Sequence, residues 1–409
     1  MNRLETEASS AGLADASPGP PMGFKGPAAP PLILKGGRVI DPSQGLDEIC
    51  DVAFENGLVA GVGRALHQPG AEELDVAGRI VTPGFIDLHT HVYWGGTSLG
   101  VDAADLAAAS GVTTFVDAGS AGPGNYRGFL RHVIQPSEVR ILAYLHVSFA
   151  GIYAFSHRIM VGESHDMRLM SPLDAVEVAR ANPDTIIGIK VRVGRHASGN
   201  SGIEPLNIAL QVSEETGLPL MVHIDEPPPS YDDVVSRLQP GDVLTHCFRP
   251  FPNSPLSGDG RPRISVLAAR ERGVLFDVGH GMGSFAFETG RRMMAAGFAP
   301  DTISSDIHDL NAHGPVFDLP TTLSKFLHLG MPLADVIGAA TGRPAAAIRR
   351  PNLGTLRVGA TADATILSLE HSGAVLTDSV GEQVEADEHI RVHGSIRAGR
   401  YFPGSERQS

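Results

Sequence analysis

The chain has 409 residues, 42% of them hydrophobic and 19% charged, with a formal net charge of −14. That length exceeds one small core and suits two or three domains, or one large barrel with an addition. An acidic chain without a basic stretch is a poor nucleic-acid binder and is repelled by anionic membrane surfaces.

Two cysteines, Cys50 and Cys247, rule out a disulfide-rich scaffold and suit a reducing compartment. No apolar run approaches the roughly 18 residues needed to cross a bilayer. Residues 1–30 lack an apolar signal-type core and are rich in Pro, Gly, Ala and Ser. They read as a disordered leader, and the protein is expected in the cytoplasm.

After the leader, PLILKGGRVID (31–41), DEICDVAFENGLVAGVG (47–63) and EELDVAGRIVTP (73–83) look like short strands between Gly, Asn and Pro turns. From residue 85, β-branched runs alternate with Ala- and Leu-rich stretches. Strands are expected at 85–91, 113–119, 140–148, 185–193, 219–224, 242–248, 274–280 and 301–307. Helices are expected at 101–110, 171–182, 202–217 and 265–273. Eight such strands alternating with helices over about 230 residues match a (β/α)8 TIM barrel. A doubly wound open sheet is the alternative, disfavoured by the lack of a Gly-rich dinucleotide fingerprint. The segments 354–370 and 389–402 return to the short-strand pattern. The expected fold is therefore α/β: a barrel over 85–351, with a small β-sandwich domain built from both termini, 31–84 and 352–403.

In such a barrel, chemistry sits at the C-terminal strand ends. The first strand ends in His89 and His91, two apart and so on one face. Alone this is a weak signal, because 17 histidines make a chance HxH pair common. The other strand ends supply the support. The fourth carries Lys190, the fifth His223, the sixth His246 and the eighth Asp306. The chain has four lysines, Lys25, Lys35, Lys190 and Lys325, so a lysine inside TIIGIKVRV (185–193) is an uncommon choice. Strand parity puts Gly188, Lys190 and Arg192 on the inner face and Ile187, Ile189, Val191 and Val193 on the outer. Four histidines, one aspartate and one lysine converging on a barrel mouth form a metal constellation.

PGFIDLHTH (83–91), the fourth-strand lysine, the two later histidines and SSD (304–306) together resemble the amidohydrolase superfamily. The likeness covers about residues 31–403 and includes NLGTLRVGATADATIL (352–367). Within the superfamily, the chain looks most like the dihydroorotase-related amidohydrolase/deacetylase group. The resemblance implies two divalent metal ions, usually zinc. His89, His91 and Asp306 would bind one ion, and His223 and His246 the other. Lys190 would be carboxylated by CO2 and bridge both. Arginine could not replace it, because its guanidinium stays protonated. A metal-bridging hydroxide would attack the substrate carbonyl, with Asp306 as general base and acid.

Dihydroorotases carry an arginine two residues beyond the first-strand HxH, to hold a substrate carboxylate; this chain has Tyr93 there. The reading therefore favours deacylation of an N-acyl amino acid or an O-acyl hydroxy acid. A cyclic amidase and a non-catalytic relative used for binding are the alternatives. Substrate contacts are expected from Arg192, one step nearer the mouth than Lys190, and from His280 in DVGHG. Tyr153, in the loop after strand three, is a weaker candidate. The partner expected is a small-molecule substrate, with neither nucleic acid nor membrane; a homo-oligomer is compatible with the sequence.

Overall fold

The computed structural model describes residues 29–371 and 373–405. The expected leader lies almost wholly outside the described residues. Seven parallel strands form one curled sheet in chain order. They are β1 (Phe85–Thr90), β2 (Val112–Ala118), β3 (Arg140–His146), β4 (Ile186–Val193), β5 (Leu220–Ile224), β6 (Val243–Leu244) and β7 (Leu275–Phe276). Parallel neighbours require crossover connections, and helices supply most of them here.

The expected helices appear with their ends set by local chemistry. Helix Ala103–Ser110 is capped by Asp102, whose side chain accepts from Ala104 N–H, and ends at left-handed Gly111. Helix Pro172–Ala181 has Ser171 as its cap and proline at the start. Helix Glu204–Thr216 ends at left-handed Gly217, and Ile264–Glu271 joins β6 to β7.

The expected eighth strand, 301–307, is not a regular strand. It makes isolated parallel bridges to both edges of the sheet, Asp277 with Thr302 and Thr90 with Ile307. On the β7 side, His280 N–H donates to Ser304 O at 3.2 Å. On the β1 side, Asp306 N–H donates to His89 O at 2.7 Å, and His91 N–H donates to Ile307 O at 2.9 Å. The two edges are thereby linked through one segment, and the sheet is consistent with a TIM-type barrel. Regular pairing fails because Asp306 sits at φ +51°, outside the extended region. The same cause shortens β6 and β7 to two residues each, because His246 (φ +65°) and Gly279 (φ +46°) turn the chain just beyond them.

Parity holds in most of β4. Ile189, Val191 and Val193 pack in one cluster with the helix residues Leu206 and Ala209. Ile187 departs from expectation and joins the inner cluster with Leu142, Tyr144 and Met221. The β3–β4 register shifts between Ala143 and Tyr144, so one residue there changes face. That inner cluster, with Ala345 and Ile348 beside it, is an apolar floor beneath the polar strand ends.

Strands from both ends of the chain pair in one eight-stranded sheet. Ile80–Pro83 joins the halves, parallel to Leu32–Asp41 and antiparallel to Ala364–Glu370. Register shifts between Leu34 and Gly37 and between Ile366 and Leu367 interrupt the pairing. Leu34, Val52, Phe54, Val81, Ile366 and Ile396 form a separate core there. A hairpin of Ala374–Thr377 with Gln383–Ala386 was not expected from the sequence.

Candidate metal centre

At the C-terminal strand ends, the apolar floor gives way to nitrogen and oxygen donors. His89 Nε2 and His91 Nε2 each lie 3.2 Å from Asp306 Oδ1. The donor atoms of these three buried residues fall within 4.8 Å of one another, a group able to hold a metal ion. Lys190 Nζ is 3.4 Å from His89 Nε2. The His223 and His246 rings are 4.6 Å apart, and His246 is 5.1 Å from His89. All six expected donors line one cavity of about 180 Å³, room for a small molecule and not for a folded partner.

Glycine at two positions permits this crowding. A Cβ on Gly119 would lie 2.6 Å from Lys190 Cγ, and one on Gly281 would lie 2.3 Å from Asp306 Oδ2. Both glycines have positive φ, +90° and +54°, which also disfavours a side chain.

The histidines are held from behind. His89 Nδ1 is 2.8 Å from Thr245 Oγ1, which donates to Asp277 Oδ2 at 2.8 Å. His91 Nδ1 meets Ser120 Oγ at 2.9 Å. His246 Nδ1 donates to Gly279 O at 2.6 Å. With Nδ1 engaged, Nε2 is left to face the cavity, the orientation metal-binding imidazoles need. His223 Nε2 and His246 Nε2 are buried and have no hydrogen-bond partner. Buried polar atoms are ordinarily paired, so these orphan lone pairs fit a metal ligand set.

Charge balance agrees. Burial pushes the pKa of His89, His223 and His246 well below the usual range and that of His91 down to about 3. The rings are therefore neutral donors. Burial also lowers Lys190 to about 7 and raises Asp306 to about 6.

The expected substrate contacts fare differently. Arg192 lines the cavity, but its Nη1 lies 3.5 Å from Glu163 Oε2 and its guanidinium sits over the Phe155 ring at 5.1 Å. His280 is outside the cavity lining and fully buried. Its Nε2 is 2.7 Å from Lys325 Nζ, its Nδ1 donates to Gly281 O, and its ring stacks on Phe285. Tyr153 is 42% exposed and also outside the lining. Tyr93 stacks on Phe129 and donates to Asn125 O, so it is a packing residue.

Other groups at the site were not found from the sequence. Thr245 and Asp277 support His89, and Glu163 pairs with His146 at 3.2 Å. Arg249 and Asp225 line the cavity. Arg249 lies three residues beyond His246.

No family model matches the chain. Relatives and solved structures do. A deacetylase of Agrobacterium fabrum is 36% identical over 357 residues, 85% of this chain and 86% of its own length. A deacetylase of Enterococcus faecalis is 32% identical over 91% of this chain and 98% of its own. A crystal structure of a dihydroorotase is 33% identical, with a TM-score of 0.84, over 92% of this chain and 98% of that one. A crystal structure of an adenine deaminase is 30% identical, with a TM-score of 0.85, over 91% of this chain and 99% of that one. A curled parallel α/β sheet with histidines and an aspartate gathered at its strand ends, able to hold a metal ion, together with deacetylase and dihydroorotase relatives, defines a hydrolase. These likenesses narrow the class: the chain belongs to the amidohydrolase superfamily.

Proposed function

We propose that the protein is a deacylase that removes an acyl group from a small N-acyl amino acid or O-acyl hydroxy acid. One observation carries the reading. Six donors from five separate segments, five of them buried, line one cavity, with the Nε2 atoms of His223 and His246 left without a hydrogen-bond partner. The deacetylase names of the Agrobacterium and Enterococcus relatives support the choice of reaction. In this reading, a (β/α)8 barrel over 85–351 carries the site, and 31–84 with 352–403 form a small β domain.

His89, His91 and Asp306 would hold one divalent ion, and His223 and His246 a second, zinc being the ion proposed. Lys190 would bridge them as a carbamate. Its neutral Nζ forms a bond to the carbon of CO2 and loses a proton, turning a buried amine into a two-oxygen anionic ligand. Burial favours the neutral amine this step needs. When bound, the metal pair polarises the scissile carbonyl and acidifies water. Asp306 shares Oδ1 with His89 and His91, so Oδ2 is the oxygen left to accept a proton. Asp306 then returns that proton to the leaving nitrogen or oxygen. Leu99, Ile152, Phe155, Met160 and Met282 make the apolar part of the cavity, which would shield the substrate's carbon skeleton from water. Arg192, backed by Glu163, would add positive charge to the wall. His280 and Tyr153 would act on packing and on the rim.

Opening of a cyclic amide is the second reading, motivated by the likeness to the dihydroorotase structure. A screen of metal-loaded protein against N-acyl-D- and L-amino acids, O-acyl hydroxy acids and cyclic amides separates the two. Deacylation predicts a carboxylic acid and an amine or alcohol in equal amounts. Turnover of cyclic amides alone, or release of ammonia, would overturn it.

A further inference from the structure

Arg249 lines the same cavity as the six donors. It follows His246 closely, its N–H donating to His246 O at 3.2 Å. The side chain is shut in, with the residue 8% exposed. Its Nε and Nη1 are buried without a hydrogen-bond partner. Among the described residues, no other arginine has two such nitrogens. Arg192 Nε, Arg270 Nε and Arg397 Nε are also unpaired, but those guanidiniums lie 5.1, 3.5 and 3.6 Å over the rings of Phe155, Phe298 and Phe402. Among the described residues, no aromatic ring lies under the Arg249 guanidinium.

The acidic groups near Arg249 are engaged elsewhere. Asp225 accepts from the N–H groups of His196 and Ala197, at 3.1 and 2.9 Å. Glu226 lies 3.6 Å from His196 Nε2 and 4.0 Å from Arg195 Nε. Neither comes within ion-pair distance of Arg249. Arg192, the other arginine of the cavity, has Glu163 as a counter-ion. A buried guanidinium without hydrogen bonds is costly to keep. An anion entering the cavity would recover that cost, and a planar carboxylate matches the guanidinium best.

We propose that Arg249 is the residue that binds a carboxylate of the substrate and so selects acylated acids over their neutral analogues. The proposal deepens the deacylase reading and rests on it for the scissile bond. Arg192 is then a neutralised wall residue rather than the anchor.

The test compares matched pairs: N-acetylleucine with N-acetylleucinamide, and O-acetyllactate with O-acetyllactamide. The wild-type protein should prefer the carboxylate member of the pair it hydrolyses. Arg249→Met should raise KM for that member by about 100-fold, the size expected for losing a charged hydrogen bond. KM for the neutral member should change less than about 3-fold, and metal content should be unchanged. Arg249→Lys should recover part of the loss. The thermal midpoint of Arg249→Met should not fall, because an unpaired buried charge has been removed. Equal losses on both members, an unchanged KM for the carboxylate, or a sharp drop in midpoint would overturn the proposal. Calorimetric binding of the four compounds to the metal-loaded Asp306→Asn protein reads Arg249 without turnover. A carboxylate preference abolished by adding Arg249→Met supports the anchor even if the deacylase reading fails. No carboxylate preference in Asp306→Asn overturns it.

Discussion

Lys190 shows how far one residue can be read in isolation. It is fully buried in a β-branched strand, in a chain that uses arginine for nearly every other positive charge. Lys190→Ala is expected to lose bound metal and at least about 10³-fold in kcat/KM together. Full metal content with full activity, by metal analysis and assay, would remove the carbamate bridge. Asp306→Asn should cost about 10²- to 10⁴-fold in kcat while keeping part of the metal; near-wild-type turnover would take Asp306 out of proton transfer. Gly281→Ala tests the same carboxylate from outside. Its Cβ would meet Asp306 Oδ2 at 2.3 Å on a backbone at φ +54°. A kcat loss of about 100-fold is expected from misplacing that oxygen, and an unchanged kcat would mean Asp306 tolerates displacement. The convergence of the six residues on one cavity was legible because each is a polar residue near the end of an apolar run. Arg249 and Glu163 were not, because what distinguishes them is whether a partner lies nearby, and the partners come from distant segments.

At the scale of elements, helices agreed with expectation better than strands did. Helix ends depend on nearby residues such as Asp102, Ser171, Gly111 and Gly217, and those are visible in sequence. β6, β7 and the 301–307 segment were expected as full strands because their apolar runs continue to the site residues. The chain instead leaves the extended region at His246, Gly279 and Asp306. Such turns aim side chains inward and have no compositional signature. The same elements carry the support of His89: Thr245 follows β6, Asp277 follows β7, and Ser304 donates to Asp277 Oδ2 at 2.7 Å. Thr245→Val, of similar volume, would strip the hydrogen bond from His89 Nδ1. Metal affinity should drop by about 10- to 100-fold, measured by competition with a chelator. Wild-type affinity would mean that the Thr245–Asp277 pair does not hold the ring.

For the molecule as a whole, one ion pair ties the curled sheet to the terminal sheet. Arg140 Nη1, at the start of β3, lies 2.5 Å from Asp363 Oδ2, and both side chains are largely buried. Asp363 also accepts from Ala398 N–H at 2.9 Å. Arg140→Met would leave a buried carboxylate without its cation, a loss of about 3 kcal/mol, read as a lower midpoint in thermal or denaturant unfolding. An unchanged midpoint would show that the two sheets do not depend on this pair. Removing metal with a chelator should also lower the thermal midpoint, and adding zinc back should restore it, because the ion binds only the folded arrangement. The alternation of strands and helices, the inward lysine and the gathering of polar residues at strand ends were legible in the sequence alone, since periodicity and residue type are local properties. Tertiary structure decided the rest. It joined the two ends of the chain in one sheet and linked the sheet edges through 301–307. It gave Arg192 an ion pair with Glu163 and, among the described residues, gave Arg249 none, because pairing and burial depend on segments far apart in the chain.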